Sequence, residues 1–338
     1  MAELNLKKYN LDKKKLRILV NVFYALQMQR IALSSNLLEL YKMNHFDDIL
    51  PLEIEYGDIT AEEIIVELEA SEIIKNLCLE FKTLVAANKK ITAKTDFDRL
   101  KEISDYSMYT LVKQYSNALE SEKEVLKAID IELDRMPIYT EYLKNIKGVG
   151  PTMAGVIVSY LDIHIAVTPS KFTAYCGIDV VLSEVDGEVV GRGRGLFPEH
   201  MVERVYTKRD GTEGTKQSAS FSPFVKSKML GVLVGSLIIN SDHYSHMYLG
   251  YKNRKQNEVP PKWKTKSHLD KMARRWLLQQ FLKDLWCVWR KLEQLPFRPT
   301  YEAEKLGIVH SAPTLPELTE RRKSKKQLAA IAEAAAVK

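Results

Sequence analysis

Apolar positions along the chain fall in three regimes: helical spacing over the first 137 residues, alternation between about 178 and 221, and helical spacing again from Pro223. The stretch LRILVNVFYALQMQRIALSSNLLELYKM is apolar on more than one face, which predicts a helix buried in a bundle or at a dimer interface. After a loop around Pro51 and Gly57, Thr60 reads as the N-cap of AEEIIVELEASEIIKNLCLEFKTLV, whose first turn is acidic. A long polar helical pattern then runs from Thr95-Asp96 to Pro137. Its apolar positions are Met108, Leu111, Tyr115 and Ala118, then Leu126, Ile129, Leu133 and Met136. That spacing of three and four predicts a coiled-coil or helical-hairpin arm, or equally one long helix packed on its own domain.

Past the arm the period changes. β-Branched residues alternate around Asp186-Gly187 in GIDVVLSEVDGEVVGRGRG and around Asp210-Gly211 in MVERVYTKRDGTEGTKQSASF, a hairpin signal in both. Helical patterns resume in PFVKSKMLGVLVGSLIIN and SHLDKMARRWLLQQFLKDLWCVWRKLEQL. In the second, Trp276, Leu285, Trp289 and Leu292 fall near one stripe, so core packing is expected of these tryptophans before base stacking. The tail from Pro313 is polar and ends in RRKSKKQLAAIAEAAAVK, the composition of a frayed helix or a disordered basic extension. The expected fold class is mainly α with a small β-hairpin insertion. Its segments are a helical module at 1–93, a long helical arm at 94–137, a domain at 138–310 with hairpins at about 178–221, and a basic tail at 311–338.

Charge adds a direction to this outline. The net +6 divides into −4 over residues 1–130 and +10 over the remainder. A basic C-terminal portion points to a polyanion partner, although a solvated basic surface accounts for charge alone equally well. No run reaches the roughly 20 apolar residues of a membrane span, so no membrane partner is expected. The start, MAELNLKKYNLDKKK, has no apolar signal core. Cys78, Cys176 and Cys287 are far apart without metal-type spacing, which suits buried thiols in a reducing cytoplasm.

The candidate chemistry sits in YLKNIKGVGPTMAGVIVSYL, where two apolar helical patterns flank Gly148-Val149-Gly150-Pro151. Glycines at 148 and 150 allow a tight turn and close approach of a ligand to the backbone. Pro151 suits the first position of a helix, so the amides near Thr152 and Met153 point out of a helix N-terminus. Free amides and the positive end of a helix dipole make an anion site, and Lys147 can add a charged contact. The pattern is that of a helix–hairpin–helix, which grips the nucleic-acid backbone without reading sequence. A tight corner used only for packing is the competing account.

The segment that begins with this motif carries a family resemblance. IKGVGPTMAGVIVSYLDIHIAVTPSKFTAYCGID resembles the opening of the C-terminal transposase domain of the insertion sequence 110 family, through Gly148, Gly150, Pro151, Ala154, Leu161-Asp162, Lys171-Phe172, Tyr175 and Gly177. SPFVKSKMLGVLVGSLI and HLDKMARRWLLQQFLKDLW are similar to two later helices of that domain, in the same order, so the resemblance covers roughly Met136 to Pro296. It implies DNA transposition or site-specific recombination, with DNA as partner. Some family members are guided by a structured RNA, which adds RNA to the implied partners.

Family members pair this domain with an N-terminal RuvC-like domain whose four acidic residues bind catalytic metal. Residues 1–93 show no βαβ alternation, so that domain is not expected here. The chain itself is then expected to hold no cofactor, Mg²⁺ entering only with a RuvC-like partner. The hairpin around Asp179 superficially resembles a RuvC-like strand pair, but basic and helical segments come next where further acidic strands are needed. The resemblance also implies a serine nucleophile. Ser183 is nearest the family position, but it is followed by Glu184 where the family has glycine and lies closer to Gly177.

DNA-backbone contacts are therefore expected from Lys147, Gly148, Val149, Gly150 and Thr152, with help from Arg192, Arg194, Lys208, Arg209, Lys226, Lys228, Arg274 and Arg275. Residues 251–291 hold 12 Lys+Arg against 3 Asp+Glu, which continues the basic surface. Two other functions compete: a non-catalytic interaction protein that homo-oligomerises through its helical arms, and an RNA-binding protein derived from a transposase.

Overall fold

The structure is a computed structural model that describes residues 2–44, 59–87, 91–93, 95–97, 100–185, 188–259, 265–296, 304, 307, 312–313 and 315–319. Among these the chain is mainly helical, with two small antiparallel two-stranded sheets. It packs as two compact units, residues 18–128 and residues 1–17 with 129–338, which cut across the segments drawn from the sequence.

The unit 18–128 is built from α1 (Ala2–Asn44) beyond residue 17, α2 (Ile59–Ala87) and α3 (Tyr106–Leu133) up to residue 128. Its core joins Leu37, Leu77, Ile103, Met108 and Val112, all fully buried. Met108, Tyr115 and Ala118, three of the arm's apolar positions, are thus core residues of a helical packing unit. The arm helix begins at Tyr106, ten residues later than the sequence pattern. There Asp105 accepts the Met108 N–H at 2.7 Å and caps the first turn. The Glu80 carboxylate fixes the preceding loop by accepting the N–H groups of Lys101, Glu102 and Ile103 at 2.7–2.8 Å.

In the other unit the long helix α10 (Lys266–Leu292) is central. The short helices α4 (Pro137–Glu141), α6 (Pro169–Tyr175), α8 (Val234–Asn240) and α9 (Asp242–Gln256) pack on it. Trp286 and Trp289 are fully buried, and the Trp286 indole N–H donates to the Ala166 carbonyl at 2.7 Å. Trp276 is only half-buried and stacks on Tyr251 at 4.8 Å. The apolar stripe of the sequence therefore holds Trp289 in the core but leaves Trp276 at its edge.

Helix α7 (Pro223–Ser227) runs through a π-helical turn (Lys228–Leu233) into α8. Pro223–Asn240 is long and apolar enough by composition to cross a membrane, and 28% of it is buried in the unit. Here Val225, Met229, Leu233, Val234 and Leu237 are fully buried in the unit.

Two ribbons interrupt this helical layer. Strand β1 (Val180–Val185) pairs with β2 (Glu188–Gly193), and β3 (Met201–Thr207) pairs with β4 (Glu213–Ala219). The Asp186-Gly187 turn lies outside the described residues. At the second turn Gly211 has φ 83°, and Lys208 N–H donates to the Thr212 carbonyl at 2.8 Å. Most of β3–β4 is exposed on both faces. A last short helix, α11 (Leu315–Thr319), buries Leu318; the rest of the basic tail lies outside the described residues apart from 312–313.

Candidate nucleic-acid interface

Helix α5 (Pro151–Tyr160) is preceded by α4, a short 3₁₀ turn at Leu143–Asn145 and the turn at 146–150. The first flank is thus not the continuous helix that the sequence pattern suggested. Tyr142 leaves helical geometry at φ −133°, and its ring is buried with the hydroxyl near Tyr244 and Asp284. The turn closes through the Val149 N–H donating to the Ile146 carbonyl at 3.1 Å, and the Lys147 N–H is taken by the Leu318 carbonyl at 3.1 Å. Val149 itself is buried, so it holds the turn from inside.

The two glycines differ in what they meet. Gly148 has φ 98°, and a Cβ there would lie 2.8 Å from the carbonyl oxygen of Ser236 on α8. Glycine at 148 is required by backbone conformation and by close packing of the turn on α8. Gly150 is the N-cap of α5 at φ −89° and ψ 170°, with no atom within 4 Å of a Cβ built on it. It offers no side-chain cap, Pro151 follows it, and its carbonyl accepts the Ala154 N–H at 2.9 Å. Among the described residues the N–H groups of Gly148, Gly150 and Thr152 meet no acceptor. Lys147, Gly148, Val149 and Gly150 face Ser236 and Asn240 across a shallow cleft of about 250 Å³. The Asn240 side-chain amide covers the Ser236 carbonyl at 2.9 Å, which removes one acceptor from the cleft.

The other cations expected to touch DNA divide into spent and free. Arg194 makes a bidentate pair with Asp179, at 2.7 Å on both oxygens, and donates to Ser220 Oγ at 2.6 Å. Lys226 donates to the Arg194 carbonyl at 2.5 Å; burial and the nearby Arg275 lower its ammonium. Arg275 lies against Gly193, where a Cβ would sit 2.0 Å from its guanidinium, and burial lowers it too. Arg274 is paired with Asp270 at 2.7 Å on α10. Lys228 is half-buried over the Phe224 ring, and burial lowers it. Lys208 and Arg209 remain exposed at the tip of the β3–β4 ribbon. Ser183 stands on β1 opposite Val190 and Arg192 on β2 opposite Val181, and their side chains lie outside the described part of the structure.

A larger cleft of about 540 Å³ was not legible in the sequence as a site. Its lining includes Lys171, Phe172 and Tyr175, which the sequence pattern singled out, but also Lys13 and Arg17 from α1. Arg17 donates to the Ser159 carbonyl at 3.1 and 2.6 Å and stacks on the Tyr160 ring. Lys13 pairs with Asp162 at 2.8 Å. Burial pushes the Asp162 carboxyl up, but Lys13 and the His164 N–H outweigh it and hold the group below the usual carboxylate range. These partners are about 140 residues apart in sequence, and no local pattern in α1 marks them.

Among the described residues no group of three or more His, Cys, Asp or Glu side chains is placed to hold a metal ion. Cys176 and Cys287 are buried and Cys78 half-buried, all as free thiols; burial pushes Cys176 up to about 12 and Cys287 up to about 11. Comparisons with known protein families, with curated proteins and with solved structures give no match.

Proposed function

We propose that the protein binds DNA through its phosphate backbone, with the Gly148–Gly150 turn and the start of α5 acting as a helix–hairpin–helix of a transposase- or recombinase-like domain. The observation that carries this reading is the contrast between the two glycines. Packing on Ser236 accounts for Gly148 in full, whereas nothing in the fold requires glycine at 150. A serine or aspartate there would cap α5 better than glycine does. Glycine instead leaves the Thr152 N–H without a side-chain acceptor at the positive end of a ten-residue helix, beside Lys147 and the Gly150 N–H, which meets no acceptor among the described residues either. A phosphate oxygen is an acceptor of the right charge for that position.

The test exploits the cap. Gly150→Asp supplies an internal acceptor in the extended geometry that N-caps use, so it keeps or slightly raises thermal stability. It also places a negative charge where the phosphate would sit. Fluorescence anisotropy with unrelated 20-base-pair duplexes is expected to give similar affinities for wild type, each falling with salt at a slope of about −0.9 per phosphate contact. Gly150→Asp is expected to lose duplex binding at least tenfold for every sequence, and Lys147→Ala to reduce the salt slope by about one. A stable Gly150→Asp protein that binds duplex as wild type does would overturn the proposal.

A further inference from the structure

The 540 Å³ cleft lies apart from the Gly148–Gly150 turn and shares none of its lining. Four cations line it, and their partners decide its charge. Lys13 is balanced by Asp162, whose other oxygen accepts the His164 N–H at 3.0 Å, and Arg194 is balanced by Asp179. Arg17 and Lys171 carry no carboxylate partner among the described residues. The Arg17 guanidinium is nevertheless fixed in place, by the Ser159 carbonyl and by the Tyr160 ring at 4.7 Å. A cation positioned by a neutral carbonyl keeps its full charge for a ligand. Lys171 is exposed on α6 at the edge of the cleft.

The apolar side of the cleft is equally selective. Phe172 is buried, and the Tyr160 ring is already covered by Arg17 and, at 5.2 Å, by Phe224. Tyr175 is 38% exposed, its ring makes no aromatic contact among the described residues, and Ile165 at 74% exposed stands in the same lining. A free aromatic face beside an apolar side chain suits a planar base, and two unbalanced cations suit the phosphate attached to it. The volume lies within the range of small-ligand clefts.

We infer that this cleft takes one unpaired nucleotide of a single DNA strand, its base stacked on Tyr175 and its phosphate held by Arg17 and Lys171. Such a site would add single-strand binding to the backbone binding of duplex proposed for the Gly148–Gly150 turn. The inference rests on the DNA-binding reading only for the polymer: the chemistry recognised, a phosphate joined to a planar ring, is common to a strand and to a free nucleotide.

The experiment measures anisotropy of a fluorescein-labelled eight-residue oligothymidylate, with the full chain as wild type, Tyr175→Ala, Tyr175→Phe, Lys171→Ala and Gly150→Asp. Tyr175→Ala is expected to weaken binding roughly 5- to 100-fold, the range of one base–aromatic stack, and Tyr175→Phe to restore it. Lys171→Ala is expected to weaken binding and to lower the salt slope by about 0.7, one single-strand phosphate. An oligonucleotide with abasic sites throughout is expected to bind wild type as weakly as oligothymidylate binds Tyr175→Ala. Equal binding of the abasic and thymidylate strands, or Tyr175→Ala within twofold of wild type, would overturn the inference. So would thymidine monophosphate binding as tightly as the strand, which would make the ligand a free nucleotide. Gly150→Asp separates the two sites: loss of duplex binding with retained single-strand binding leaves both readings standing. Single-strand binding that depends on Gly150 and ignores Tyr175 removes the cleft alone.

Discussion

At Gly148 the backbone takes a left-handed φ and a Cβ would press on the Ser236 carbonyl, whereas at Gly150 the backbone is extended and a Cβ meets open space. The two positions look equivalent in the sequence, as the repeated glycine of a G-x-G turn. Their difference depends on α8, which lies about 90 residues further along the chain and supplies the Ser236 backbone. Gly148→Ala is expected to destabilise the fold by about 1–2 kcal/mol from the left-handed conformation alone, with the displaced α8 backbone adding to it. Gly150→Ala is expected to cost less than about 1 kcal/mol, the size of an N-cap effect. Urea midpoints of the two variants check this, and equal midpoints would mean that the turn does not rest on α8. The residue scale also corrects the reading of charge. Arg194 and Arg274 are counted as basic surface in the sequence, yet each is paired with an aspartate, and one of those aspartates, Asp179, lies 15 residues away.

Among the elements, those with a strict period were the most legible. Alternation around Asp210-Gly211 predicted the β3–β4 ribbon, and the structure gives it a glycine at positive φ in the turn. Alternation could not tell that both faces of the ribbon are exposed, because period 2 normally marks one buried face. The ribbon is therefore expected to be dispensable for folding. Replacing residues 203–217 by Asn-Gly closes a two-residue turn across the Val202–Ser218 pair. The thermal midpoint of that variant is expected to match wild type, and a large loss of stability would place the ribbon in the core. Helix ends were less legible. The arm starts at Tyr106 because the Asp105 carboxylate caps it and Glu80 ties down the loop before it. The segment before the Gly148 turn breaks at Tyr142, whose ring is drawn into the core.

For the whole molecule, helical content and the small hairpins followed from hydrophobic period, but the division into units did not. The arm up to residue 128 packs with α1 and α2 around Leu77 and Met108, whereas its residues 129–137 and the first 17 residues of α1 belong with the C-terminal unit. Both facts come from contacts between distant positions, such as Lys13 with Asp162, that no window of sequence contains. Of the cations that line the two clefts or stand at the ribbon tip, Lys147, Arg17, Lys171, Lys208 and Arg209 form no ion pair among the described residues. The central claim is that the Gly148–Gly150 turn contacts DNA phosphate through its backbone. Amide ¹H–¹⁵N correlation spectra of the deuterated protein, recorded while a 20-base-pair duplex is added, test it most directly. The predicted result is that the Gly150 and Thr152 amides shift downfield saturably, that they do so with any duplex sequence, and that they return toward the free position as salt is raised. Gly150 and Thr152 amides that stay unmoved while the duplex is bound would contradict it.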